Sequence, residues 1–274
     1  MTNITIFTRL HFREKKVSVV YHCRPLKLKK WQESVFDRQE KLPGFNQQVL
    51  SSSRIILIGG GGLGGEISFG LTRKGVGEII ILDPDVAQPS NLSRQKFYKS
   101  DLYKNKAIRL ARNLAKEGFN STRLQGIALS FQDAVAAGFD LSAADIAVCG
   151  VDNNPTRVFA SRFYRERNIP VIFTAVSAKA DHGYVFIQEP GEGKACFGCQ
   201  FPHSVNDESY PCPGTPAVND ILKVVAGIVT YAVDSLIMKR LRTWVYKDIF
   251  LDGTIPGADS RVEKRPNCKL CQAE

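Results

Sequence analysis

No run of apolar residues in this 274-residue chain is long enough to cross a bilayer. The most apolar late stretch, Ile221 to Val233, is short and is broken by Lys223. The first ten residues lack the continuous apolar centre of a secretory signal. Together these absences lead us to expect a cytoplasmic protein without a membrane partner. Internal repeats and low-complexity tracts are also missing, and 43% hydrophobic residues over this length suffice for a sizeable core. Acidic residues are scarce at the start: residues 1–30 hold one Glu against eight Lys or Arg, within a formal net charge of +10. Such an arm suits an acidic partner. No motif interleaving aromatics with basic residues accompanies it, which disfavours nucleic acid.

What is present reads as a basic, β-rich extension over residues 1–30 and an α/β domain over 31–274. Residues 3–9 and 16–23 are rich in β-branched side chains and predict a pair of strands. A helix is expected over 28–40, then a turn at Pro43-Gly44. From Arg54 onward, short apolar runs alternate with helical patterns. Strands are expected at 54–58, 78–82, 122–129, 145–149, 171–175 and 184–188, and helices at 63–74, 104–116 and 155–167. This alternation predicts a doubly wound, Rossmann-like, mostly parallel sheet. Residues 189–216, rich in Pro and Gly, read as one long loop before a long helix over 217–241. A last strand is expected over 244–251.

Gly59-Gly60-Gly61-Gly62-Leu63-Gly64 lies between an expected strand and an expected helix. Glycines at this spacing permit a tight turn and let phosphates approach backbone N–H groups at the helix start. Asp83 closes the next strand, 19 residues after Gly64, where a carboxylate can accept from ribose hydroxyls. On these features alone the default reading is a dinucleotide cofactor, and the rival enzyme is a nicotinamide or flavin dehydrogenase. The following residues favour a triphosphate, which demands more positive charge. Arg94 offers a bidentate fork and Lys106 a point charge. Asp152, after the 145–149 strand, is placed for Mg²⁺ bound to phosphates. Taken singly, Arg94 reads as a solvated surface charge, Asp152 or Asn153 as a helix cap, and Asp85 as a residue that shapes the turn.

Gly59 to Gly64, Gly75-Val76-Gly77, Asp83 with Asp85, Ser90-Asn91-Leu92 with Arg94-Gln95, Asp152-Asn153 with Arg157, and two Cys-x-x-Cys pairs occur in this order. The set resembles the ThiF/MoeB/HesA family of ATP-dependent adenylating enzymes, bacterial relatives of ubiquitin-activating enzymes, over roughly residues 36 to 272. The resemblance implies that Gly59, Gly61, Gly62 and Gly64 admit ATP to the backbone and that Asp83 holds the ribose. It also implies that Asn91, Arg94, Gln95 and Lys106 surround the triphosphate while Asp152 binds Mg²⁺. Phe36-Asp37-Arg38-Gln39 resembles the family's N-terminal Arg-Tyr-x-Arg-Gln element without its first Arg. By that match, Arg38 reaches the partner's ATP in a homodimer.

Seven cysteines are an odd number. Cys196 with Cys199 and Cys268 with Cys271 have the spacing of a closed four-thiolate zinc site, structural because the protein fills every position. Such a site pins the C-terminal region to the loop after the sheet. Cys212, near the start of the long helix, stands where reactive cysteines of the family stand, and a helix N-terminus lowers a thiol's pKa. Cys23 and Cys149 read as strand packing. The implied reaction is ATP-dependent adenylation of the C-terminal carboxylate of a small ubiquitin-like or sulfur-carrier protein, followed by transfer to a sulfur nucleophile. The alternatives are modification of a peptide, as in peptide-antibiotic biosynthesis, and activation for a bacterial ubiquitin-like conjugation.

Overall fold

The computed structural model describes residues 4–5, 17–29, 33–206, 216–253 and 256–271. The chain opens with β1 (Ile4–Thr5) and β2 (Ser18–His22), which pair antiparallel. Two short helices follow, α1 (Asp37–Glu40) and α2 (Gln47–Ser52). The alternating region is β3 (Arg54–Ile58), α3 (Gly62–Lys74), β4 (Glu78–Leu82), α4 (Lys106–Leu114), β5 (Arg123–Ile127), α5 (Phe131–Ala136), β6 (Ile146–Cys149), α6 (Asn154–Arg165) and β7 (Val171–Val176). Then come β8 (His182–Gln188), α7 (Phe197–Gln200), α8 (Asn219–Ile237), β9 (Tyr246–Phe250) and β10 (Asp259–Ser260).

Among the described residues all ten strands form one sheet, ordered β1-β2-β5-β4-β3-β6-β7-β8-β9-β10. The centre, β5-β4-β3-β6-β7, is parallel, and the pairings outside it are antiparallel. β2 pairs with β5 along all five of its residues, so the N-terminal strands extend the same sheet. The strand order reverses between β3 and β6, and the crevice beyond the C-terminal ends of such a pair is where α/β sheets bind ligands.

The strands alternate strictly between two cores, which is why they read as unbroken apolar runs. Ile55 and Leu57 of β3, Ile79 and Ile81 of β4, and Ile146 and Val148 of β6 pack under α3, α4 and α8. Ile56 and Ile58, Ile80 and Leu82, and Ala147 and Cys149 face α5 and α6. No helix among the described residues is long and apolar enough to cross a membrane.

Three expectations need correction. Of the helix expected over 28–40, the described residues form only Asp37–Glu40. Just ahead of the segment, Cys23 and Leu26 donate their N–H groups to Thr122 and Phe119 in an extended path. Within the segment Leu28 and Val35 are exposed, so no buried apolar face holds a longer helix there. The 189–216 loop contains α7 and a 3₁₀ turn at Pro202–Asn206, because Phe197 sinks into the core against Phe173, with ring centroids 4.8 Å apart. Helix α5 was not expected. Ser130 caps it by accepting from the Asp133 N–H at 3.1 Å, and Phe131 anchors it in the core.

Candidate nucleotide site and metal centre

Gly59 leaves β3 at φ +99°, a conformation other residues rarely adopt, and a Cβ there would lie 3.2 Å from Val151, just past β6. At Gly64 a Cβ would press into the Gly59 carbonyl, so the turn closes only with glycine. Helix α3 starts immediately, and Gly61 at its N-cap has no side chain to offer. The first N–H groups of α3 therefore lack a side-chain acceptor, the condition under which a helix start takes an anion.

Asp83 braces this turn from the end of β4. The Gly60 N–H donates to its Oδ2 at 2.8 Å, and the Asp85 N–H to its Oδ1 at 2.9 Å. Burial pushes its pKa up to about 6, against the pull of the Lys106 charge. Lys106, the first residue of α4, pairs with Asp85 at 2.8 Å. Asn105, unnoticed in the sequence, ties the corner together. Its Nδ2 donates to the carbonyls of Asp83 (2.8 Å) and Asp85 (3.1 Å), while its Oδ1 caps α4 at the Ile108 N–H (3.0 Å). The available signal was an Asn directly before an amphipathic helix.

Asn91 Oδ1 accepts from the Gln88 N–H at 2.9 Å and so shapes its own 3₁₀ turn. Arg94 Nη1 donates back to the Ser90 carbonyl at 3.1 Å. The Gln95 carboxamide lies against Gly61, 3.9 Å from a Cβ built there, and its Oε1 is buried without a partner. Across the crevice, Asn153 caps α6 by accepting from the Thr156 N–H at 3.0 Å. Arg157 clamps the Val151 carbonyl (2.6 Å) and Asn154 Oδ1 (2.9 Å). Asp152 is thus relieved of capping. It is exposed and has no hydrogen-bond or ion-pair partner among the described residues.

Gly59, Gly61, Gly62, Gly64, Asp83, Asn91, Arg94, Gln95, Lys106 and Asp152 therefore gather around the β3/β6 crevice. Arg38 does not. Its side chain is 88% exposed, and α1 docks at the other end of α3, where Gln39 Nε2 donates to the Lys74 carbonyl at 2.8 Å. Thirteen residues of α3, about 20 Å, separate that end from the glycine turn. Cys212 lies outside the described residues. Cys23 and Cys149 are buried packing residues, and burial pushes the Cys149 thiol up to about 11.

The sulfurs of Cys196, Cys199, Cys268 and Cys271 lie within 4.8 Å of one another. Contacts of 3.5 Å (Cys196 to Cys268) and 3.6 Å (Cys199 to Cys271) join the two pairs. A tetrahedron of Zn–S bonds of about 2.3 Å places sulfurs about 3.8 Å apart, so the donor set fits zinc and leaves no open position.

The ThiF family model matches residues 28–271. "SAMP-activating enzyme E1" of Haloferax volcanii is 27% identical over 187 residues, 67% of this chain and 66% of that protein. "Sulfur carrier protein ThiS adenylyltransferase" of Escherichia coli is 29% identical over 205 residues, 68% of this chain and 77% of that protein. The chain spans less than two thirds of the length of several curated relatives it matches, and 36% of one from Zea mays. Among solved structures, that of E. coli MccB with ATP has the same fold, with TM-score 0.69 and 23% identity over 88% of this chain and 75% of that one.

Proposed function

The chain belongs to the ThiF family, and from that premise we propose that it transfers AMP from ATP to the C-terminal carboxylate of a small ubiquitin-like or sulfur-carrier protein. The observation that carries this reading is the convergence of the glycine turn, Asp83 and Lys106 at the reversal of strand order. The chain's similarity to sulfur carrier protein adenylyltransferases of Thermus thermophilus and Escherichia coli supports the substrate class.

A carrier's carboxylate is already ionised at neutral pH and needs no general base. One of its oxygens attacks the α-phosphorus, a new P–O bond forms, and the bond to the β-phosphate oxygen breaks to release pyrophosphate. The N–H groups at the start of α3 face the phosphates, Asp83 accepts from the ribose, and Arg94 and Lys106 offset charge growing on the leaving group. Lys106 exchanges Asp85 for phosphate in doing so. The free Asp152 carboxylate is a hard oxygen donor suited to Mg²⁺, which when bound supplies further charge neutralisation at the phosphates. Zinc would be held by Cys196, Cys199, Cys268 and Cys271 in a purely structural role.

In this reading the Cys212 thiolate attacks the acyl carbon of the adenylate, a thioester forms as AMP leaves, and the protein works as a homodimer. The distance of Arg38 from its own chain's cradle favours action on the partner's ATP. Residues 1–30 form an extension to the adenylating domain of 31–274. The test is exchange of labelled pyrophosphate into ATP in the presence of carriers ending in Gly-Gly. Wild type should exchange, and Asp152→Ala should lose about 100-fold or more. Undiminished exchange by that variant would remove Asp152 from the mechanism, and no exchange with any carrier would remove the substrate class.

A further inference from the structure

Helices α3 and α8 lie side by side in parallel, in a fixed register. A Cβ on Gly62 would meet Leu222 at 2.8 Å, and one on Gly70 would meet Thr230 at 3.1 Å. Lys74 Nζ reaches Asp234 Oδ2 at 2.6 Å. Every one of these pairs is 160 residues apart, as the Lys74–Asp234 separation shows (222 − 62, 230 − 70, 234 − 74). The alignment persists over twelve residues, about 18 Å of helix. Both helices therefore begin at the same edge of the sheet, and the first turn of α8 lies beside the glycine turn.

That first turn grips the segment carrying Arg94. Asn219 Nδ2 donates to the Ser93 carbonyl at 3.0 Å, and Arg94 O lies 3.7 Å from a Cβ built on Gly62, the place Leu222 also crowds. Val218, at the N-cap of α8, supplies no capping bond, and Asn219 Oδ1 is buried without a partner. The amide of Asn219 is therefore spent on Ser93 and not on its own helix. The Ser93 carbonyl is one end of the 93–94 peptide plane, and that plane sets the direction in which the Arg94 side chain departs. On the proposed reading of this edge as an ATP site, we propose that Asn219 is a positioning residue. It locks the 93–94 peptide to α8 and so fixes the point from which the Arg94 guanidinium, which here donates to the Ser90 carbonyl, turns to the phosphates.

The test uses the full chain and two probes, a non-hydrolysable ATP analogue and adenosine, which has no phosphate for Arg94 to meet. Asn219→Ala should weaken the analogue about fivefold, the scale of one net hydrogen bond, and leave adenosine within about twofold. In the Arg94→Ala background the same change should cost less than about twofold, because the group being aimed is gone. Asn219→Ser, which retains a donor, should recover part of the loss. Wild-type affinity in Asn219→Ala, equal weakening of both probes, or a full multiplicative loss with Arg94→Ala would each overturn the assignment. Failure of the wild type to bind the analogue would instead overturn the nucleotide reading on which it rests.

Discussion

Asp83 ties the glycine turn to the end of β4 through one buried carboxylate. It is 6% exposed and accepts two backbone N–H groups, yet burial outweighs them and lifts its pKa to about 6. A raised carboxylate pKa contributes stability that is complete below about pH 4 and is lost as pH rises through about 6, in all roughly 3 kcal/mol for a shift of this size. Ribose hydroxyls donate, so they favour the ionised form and bind better once the proton has left. Adenosine affinity should therefore climb between about pH 5 and 7 and then level off, and Asp83→Asn should abolish the climb. Adenosine suits the measurement because no phosphate titrates in that window. A flat profile for wild type would show that the ribose does not meet Asp83.

Among the elements, the α3–α8 pair depends on a buried ion pair with unequal partners. The Asp234 side chain is 5% exposed and its Oδ1 already lacks a partner, whereas Lys74 is 28% exposed. Removing the lysine strands a carboxylate in the core. Removing the acid lets a long side chain swing its ammonium to water. Lys74→Met should therefore cost about 3 kcal/mol and Asp234→Asn about 1 kcal/mol in urea denaturation. Equal costs would mean that burial does not decide the balance. Neither residue was singled out from the sequence, since Lys74 and Asp234 lie far apart in it and only the helix register joins them.

At the scale of the whole molecule, the four cysteines tie residues 268–271 to the turn around α7, which packs beneath Phe173. Purified protein should carry about one zinc per chain by metal analysis. Chelation or Cys268→Ser should lower the melting temperature by about 10 °C or more, because thiolate-bound zinc contributes folding energy directly. Affinity for an ATP analogue, measured well below the melt, should stay within about twofold. A metal-free wild type with unchanged stability would contradict the site.

The central strands were legible in the sequence because a parallel sheet covered on both faces demands unbroken apolar runs, and β3 and β4 begin and end where those runs do. The glycine turn and the cysteine cluster were legible for a related reason: a tight strand-to-helix turn and a four-sulfur cluster each restrict the residue types that serve. Where the sequence alone erred, the deciding contacts were remote. The chain just ahead of the 28–40 segment is held extended by hydrogen bonds from Cys23 and Leu26 to Thr122 and Phe119, and α5 exists because Phe131 packs under α6. Asn105 and Asn219 are ordinary polar residues by sequence. They matter because folding places their amides within hydrogen-bond reach of carbonyls at Asp83, Asp85 and Ser93, and short-range pattern contains no information about such distances. The sequence by itself determined the layered α/β architecture and the chemistry its site can offer. The tertiary structure alone decided which side chains hold that chemistry in position, because that depends on contacts between residues far apart in the chain.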